Sequence, residues 1–182
     1  MEEKNKAWKT VSSKYLFRRP WLTVRCEDML LPNGNHIPEY YILEYPDWVN
    51  TIAITKEGKF VFVRQYRPGI QRTCYELCAG VCEAEDASPL VSAQRELWEE
   101  TGYGKGNWQE YMVVSANPST HTNLTHCFLA TDVELIDHQH LEDTEDLSVH
   151  LLTLEEVRSL LENNEIMQSL NAAPLWKYMA GL

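Results

Sequence analysis

Residues 88–102 read Ser-Pro-Leu-Val-Ser-Ala-Gln-Arg-Glu-Leu-Trp-Glu-Glu-Thr-Gly, and the rest of the chain is best read outward from them. Ser88 suits an N-cap, Pro89 the first helical position, and Gly102 the position just past the helix end. The spacing therefore predicts a helix from Pro89 to Thr101. At about 100° per residue, Leu90, Ala93 and Leu97 share one face and turn toward a core. Glu96, Glu99 and Glu100 fall on an adjoining strip. Three carboxylates so placed repel one another and weaken a helix, yet they suit a hard, oxygen-seeking divalent cation. Arg95 stands beside Glu99 and can orient it by a charge-assisted hydrogen bond. Alone, the strip also fits a solvated acidic helix face; the residues around it decide.

Upstream, Val49–Thr55 and Lys59–Tyr66 are apolar, β-branched or aromatic runs joined by Lys56-Glu57-Gly58, a hairpin pattern. Short extended runs follow at Tyr75–Leu77, Tyr111–Val114, His126–Thr131 and Leu147–Leu152. Further helices are predicted at Leu154–Glu162 and Ala172–Met179. Strands and helices mix without regular alternation, so the expected class is α+β, a mixed sheet packed by helices. Residues 1–47 read as a separate small β-rich segment, with strands at Leu22–Asp28 and Ile37–Tyr45 around a Pro32-Asn33-Gly34-Asn35 turn. It fits a small sheet or a dimerisation arm. Residues 48–182 form the main domain.

The chain carries a net charge of −11, which excludes a phosphate-backbone binder built on clustered Lys and Arg. No apolar run approaches the roughly 18 residues a membrane span needs. The start Met-Glu-Glu-Lys-Asn-Lys lacks a signal-peptide pattern, and a cytoplasmic location is expected. Five cysteines without a secretion signal argue against a disulfide framework. Cys74, Cys78 and Cys82 recur every four residues; zinc is one reading, small buried residues the other.

The order Gly80, then Glu85-Asp86, then Arg95-Glu96-Leu97-x-Glu99-Glu100-x-Gly102-Tyr103 resembles the Nudix box, G-x5-E-x7-R-E-U-x-E-E-x-G-U with U apolar. The second half matches throughout. The first half departs: its spacer is one residue longer, and Asp86 stands where the first Glu is expected. Tyr75-Glu76-Leu77-Cys78-Ala79-Gly80 looks like the entry to the box in ADP-sugar pyrophosphatases. Val63-Arg64-Gln65-Tyr66-Arg67 looks like their strand ending in Gln-aromatic-Arg. Thr144–Val149 looks like their late acidic loop and strand.

The resemblance implies a Nudix fold and hydrolysis of a nucleoside diphosphate derivative, ADP-ribose or a related nucleotide sugar, to a nucleoside monophosphate and a sugar phosphate. It implies Mg²⁺ or Mn²⁺ held by Glu96, Glu99, Glu100 and the Ala79 carbonyl. Glu145 is the expected general base, ahead of Glu142 and the helix glutamates Glu96 and Glu99, with Arg95 and Glu99 completing the catalytic set. Arg67 and Glu76 are expected to bind substrate, and the partners to be a small nucleotide and a second copy of the chain. Arg67 could equally pair with an acid, and Glu76 with a base. Loop 117–123 suits the rim of a site, with His121 able to meet a phosphate. Tyr15, Trp21 and Trp48 are stacking candidates. The alternatives are a non-catalytic, ligand-binding Nudix domain and a hydrolase of another diphosphate such as GDP-mannose or a dinucleoside compound. An intact carboxylate set favours catalysis.

Overall fold

The start of the described chain pairs into an antiparallel sheet of β1 (Lys9–Arg19), β2 (Leu22–Leu30) and β3 (His36–Glu44). The structure, a computed structural model, describes residues 6–182, so the opening Met1–Asn5 read above lies outside it. The β2–β3 turn closes through Gly34 at φ 87° and its N–H bond to Leu31 O. β1 was not expected. Every residue of β1 is exposed, so it carries no inward-outward alternation to read. Loop residues 117–123 join this first compact unit: Leu43 N–H donates to Thr120 O, and Thr122 N–H returns a bond to Leu43 O.

The second unit, residues 46–116 and 124–182, holds the rest. Its strands are β4 (Trp48–Thr55), β5 (Phe60–Arg67), β6 (Arg72–Glu76), β7 (Cys78–Val81), β8 (Tyr103–Gly104), β9 (Asn107–Val114), β10 (Thr125–Leu135) and β11 (Leu147–Leu152). The sheet runs β11-β5-β4-β10-β8, with β6 on β5, β7 on β4 and β9 on β10. β4 and β10 run parallel and the other pairs antiparallel, so the sheet is mixed. α1 (Pro89–Thr101), α2 (Leu154–Glu162) and α3 (Ser169–Ala180) cover it.

Period-two alternation divides the central strands between two cores. Ile52, Ile54, Phe60 and Phe62 pack with Val157, Leu161 and Leu175 under α2 and α3. Ala53, Val61 and Ala130 pack with Leu97 of α1 on the opposite face. Burial on both faces explains why β4 and β5 read as near-continuous apolar runs. Leu97 is fully buried, and truncating it to Ala is expected to cost about 2–5 kcal/mol.

α1 begins and ends as expected. The Ser88 side chain accepts from Val91 N–H, and Gly102 turns left-handed at φ 75° with its N–H on Trp98 O. A side chain at Gly102 would also collide with the Asp137 carbonyl. α2 is closed by a Thr153–Glu156 capping box. α3 starts at Ser169, three residues before the expected start, and so carries Pro174 in its interior. Proline has no N–H for the carbonyl four residues back, that of Leu170. The buried Asn50 side chain of β4 donates its Nδ2 to that carbonyl at 2.7 Å.

Candidate functional site

The acidic strip of α1 meets β7 along its length. Arg95 gathers the region: Nη2 donates to Val81 O and Asp86 Oδ2, each at 3.0 Å, and Nη1 to Glu96 Oε1 and Glu99 Oε2, each at 3.0 Å. Burial opposes the guanidinium's charge, but these carboxylates outweigh it and hold its pKa above the ordinary value. In return, the Arg95 bond holds Asp86 below the usual range. Asp86, at the first-Glu position of the box, thus anchors the arginine that holds Glu96 and Glu99 across the longer spacer, while Glu85 is exposed. Gly80 leaves room for the Glu96 carboxylate, which a Cβ there would push aside.

Glu100 points the other way and is 4% exposed. Its carboxylate accepts the Ala79 N–H at 3.1 Å. Burial pushes its pKa up to about 8; a bond with the Cys78 thiol works against this, and the charges of Glu96 and Glu145 add to it. Glu96 is also raised, chiefly by burial, with Arg95 opposing. Glu145 belongs to the loop before β11, where its carboxylate accepts the Glu142 N–H at 2.9 Å. Its influence on Glu100 and Cys78 places its charge in the field of the strip.

The β5–β6 hairpin brings Arg67 and Glu76 together. Arg67 Nε donates to Glu76 Oε1 at 2.8 Å and Nη2 to Oε2 at 2.5 Å, a two-pronged pair. Glu76 is 2% exposed, and its hydrogen bond raises the Arg67 pKa. Arg67 is thus paired with an acid, and it also lines a cavity of about 350 Å³ with Trp48, Asn50, Ala79–Val81, Thr125 and Asn171. Residues 79–81 of that wall are the ones that meet Glu100, Glu96 and Arg95.

The sequence reading passed over Asn50, Thr125 and Asn171. Each is at most 2% exposed, and Asn50 Oδ1, Thr125 Oγ1 and Asn171 Oδ1 have no hydrogen-bond partner. A lone asparagine inside the run Val49–Thr55 was the available signal. Of the aromatic candidates, Trp48 lines the cavity, whereas Tyr15 and Trp21 lie in the first unit. His121 also belongs to the first unit, its ring 5.2 Å from that of Tyr45. Cys74, Cys78 and Cys82 are free thiols. Among the described residues, the trio of His, Cys, Asp or Glu whose ligand atoms converge within 4.8 Å is Asp137, His138 and His140.

Residues 45–172 match the model of the NUDIX domain. This chain belongs to the Nudix family. Residues 8–43 match a second model, the nucleoside diphosphate sugar hydrolase N-terminal domain. The chain is 31% identical to an ADP-ribose pyrophosphatase of Bacillus subtilis (strain 168), over 90% of this chain and 88% of that protein. It is 30% identical to a methanol dehydrogenase activator of Bacillus methanolicus, over 88% and 86%. An ADP-ribose pyrophosphatase of Mycobacterium tuberculosis is 25% identical over 91% and 80%. The crystal structure of an ADP compounds hydrolase has the same fold, with a TM-score of 0.84 over 98% of this chain and 97% of that one, at 20% identity. The protein is a Nudix pyrophosphohydrolase.

Nudix hydrolases use a divalent metal ion, and the residues here fit one. Glu96, Glu99 and Glu100 offer hard oxygen donors, two of them with raised pKa. Glu100 is bonded to one backbone N–H and a thiol, with the Arg67 charge not bonded to it, so burial still opposes its ionisation and a bound cation would offset that cost.

Proposed function

We propose that this Nudix hydrolase splits the diphosphate of ADP-ribose or a related nucleotide sugar, giving a nucleoside monophosphate and a sugar phosphate. The carrying observation is the contrast within α1: Arg95 bonds Glu96 and Glu99 directly, while Glu100 lies buried against Ala79 with the Arg67 charge in its field but bonded to Glu76. The likeness to two ADP-ribose pyrophosphatases supports this substrate class.

Glu96, Glu99, Glu100 and the Ala79 carbonyl would hold Mg²⁺, or Mn²⁺ in its place. Such an ion supplies charge neutralisation for the diphosphate and a lowered pKa for bound water. Glu145 takes the proton from the attacking water, whose oxygen bonds to one phosphorus as the bridging P–O bond breaks. The departing phosphate keeps the bridging electron pair. Arg95 is a positioning residue that fixes Glu96 and Glu99. Arg67 presents its guanidinium to the phosphates while Glu76 steadies it. A 350 Å³ cavity beside Ala79–Val81 has room for a sugar or nucleoside moiety.

We also propose a homodimer working in the cytoplasm. β1 exposes Val11, Tyr15, Leu16 and Phe17, each at 43% or more, an apolar surface suited to a second copy. Light scattering of the eluted protein should give twice the 21.1 kDa chain mass. For the reaction, ADP-ribose with Mg²⁺ should release AMP, and a Glu99→Gln/Glu100→Gln double variant should release none above background. An inactive wild type would remove ADP-ribose from consideration.

A further inference from the structure

The geometry points to a second metal site, for a borderline transition ion of the Zn²⁺ class, formed by Asp137, His138 and His140 at the C-terminal end of α1. Asp137 Oδ1 lies 2.7 Å from His138 Nδ1, and Oδ2 lies 3.0 Å from His140 Nε2. The two imidazole rings lie side by side, tilted by 40°, with centroids 4.3 Å apart. All three ligand atoms fall within 4.8 Å of one another and reach solvent, so an ion can enter without rearranging a core. Two imidazoles with one carboxylate select Zn²⁺, Co²⁺, Ni²⁺ or Cu²⁺ over Mg²⁺, which prefers oxygen alone. This separates the site chemically from the glutamate strip.

Two independent features favour a cation here. First, the loop is held in shape before any ion arrives. Ile136 and Asp137 N–H groups donate to Gly102 O, His140 N–H donates to Glu99 O at 2.8 Å, and Gln139 Nε2 donates to Glu100 O at 2.8 Å. The His140 ring also stacks on Trp98 of α1 at 4.1 Å. Second, the carbonyl end of a helix carries partial negative charge, and α1 has no Lys or Arg in its last turn to answer it. An ion on this loop would supply that charge. Since the loop is bonded to the carbonyls of Glu99 and Glu100, its occupancy would also stiffen the turn that presents both carboxylates to the first site.

The test is calorimetric titration of the full chain with ZnCl₂ in excess Mg²⁺, which keeps the glutamate strip occupied. Wild type should take up one Zn²⁺, and the ion should raise its melting temperature. A His138→Ala/His140→Ala variant should bind at least about tenfold more weakly and lose the thermal shift, while keeping wild-type Mg²⁺-dependent hydrolysis. The Glu99→Gln/Glu100→Gln variant should bind Zn²⁺ as wild type does, whether or not ADP-ribose proves to be the substrate. No Zn²⁺ uptake by wild type would overturn the site. So would equal affinity in the histidine variant, which would mark adventitious binding only, or loss of binding in the glutamate variant alone.

Discussion

Glu76 and Glu100 are both carboxylates buried within a few per cent of completely, yet their surroundings are opposite. Glu76, at the end of β6, is met by both prongs of Arg67. Glu100, near the end of α1, has the Ala79 N–H and the Cys78 thiol, with Glu96 and Glu145 adding repulsion. A buried charge with its counterion inside the fold serves the fold. Glu100 shares the Arg67 charge only at a distance, so its burial opposes ionisation and a cation brought to it would offset that cost. The contrast separates architecture from chemistry among groups of identical composition.

Replacing Glu100 by Gln should break the comparison most strongly. Activity with Mg²⁺ should fall by about 10²–10³-fold in kcat, the several kcal/mol a metal contributes to such a transition state. Metal-free protein should at the same time melt higher than wild type at pH 8. Removing the charged partner of Glu76 should do the reverse: Arg67→Met leaves a buried carboxylate with only the long Gln65 bond of 3.5 Å and should cost about 3–5 kcal/mol in urea unfolding, alongside weaker substrate binding.

The pH dependence sharpens the same contrast. The folded pKa of Glu100, about 8, lies above its unfolded value near 4.5. The folded state therefore binds the proton more tightly across that window. The contribution is fully present below about pH 4.5 and is lost as pH rises through 8. Thermal unfolding of metal-free wild type should show this decline. The Glu100→Gln protein should lack it, and saturating Mg²⁺ should offset it. A wild-type profile no steeper than that of the variant would count against the buried, proton-holding carboxylate.

A third carboxylate gives the smallest effect. Glu134 is paired with Lys56 and Lys105 at 2.6 and 2.9 Å on the surface, and Lys56 is the chief cause holding its pKa down at about 2. Water already solvates both partners. Lys56→Ala should leave the melting temperature at pH 7 unchanged within error.

Much of this was legible because local chemistry spelled it out. Ser88, Pro89 and Gly102 fix the ends of α1, and the i, i+3, i+4 spacing fixes the acidic strip, all without long-range information. Asp86 was ambiguous in sequence because loop spacing is not geometry; only the folded loop shows it on Arg95. Arg67 and Glu76 lie nine residues apart, and their pairing depends on the hairpin register. β1 escaped notice because an exposed strand has no buried face to pattern it. Asn50 left one signal, a lone asparagine in an apolar run, whereas Thr125 and Asn171 escaped because their local sequence does not mark them for burial.

The bond from Asn50 to the Leu170 carbonyl makes two positions 124 residues apart exchangeable in one direction only. With Pro174 in place, Asn50→Ala strands a buried acceptor and should cost about 1–3 kcal/mol. With Pro174→Ala, the helix regains a backbone donor for that carbonyl, and the same Asn50→Ala change should cost measurably less. A double-mutant cycle would read the difference as a coupling energy. Asparagine can thus precede proline along a mutational path, whereas proline arriving first would pass through a weakened protein. Strand β4 and helix α3 therefore carry a record of the order in which their residues could have been acquired.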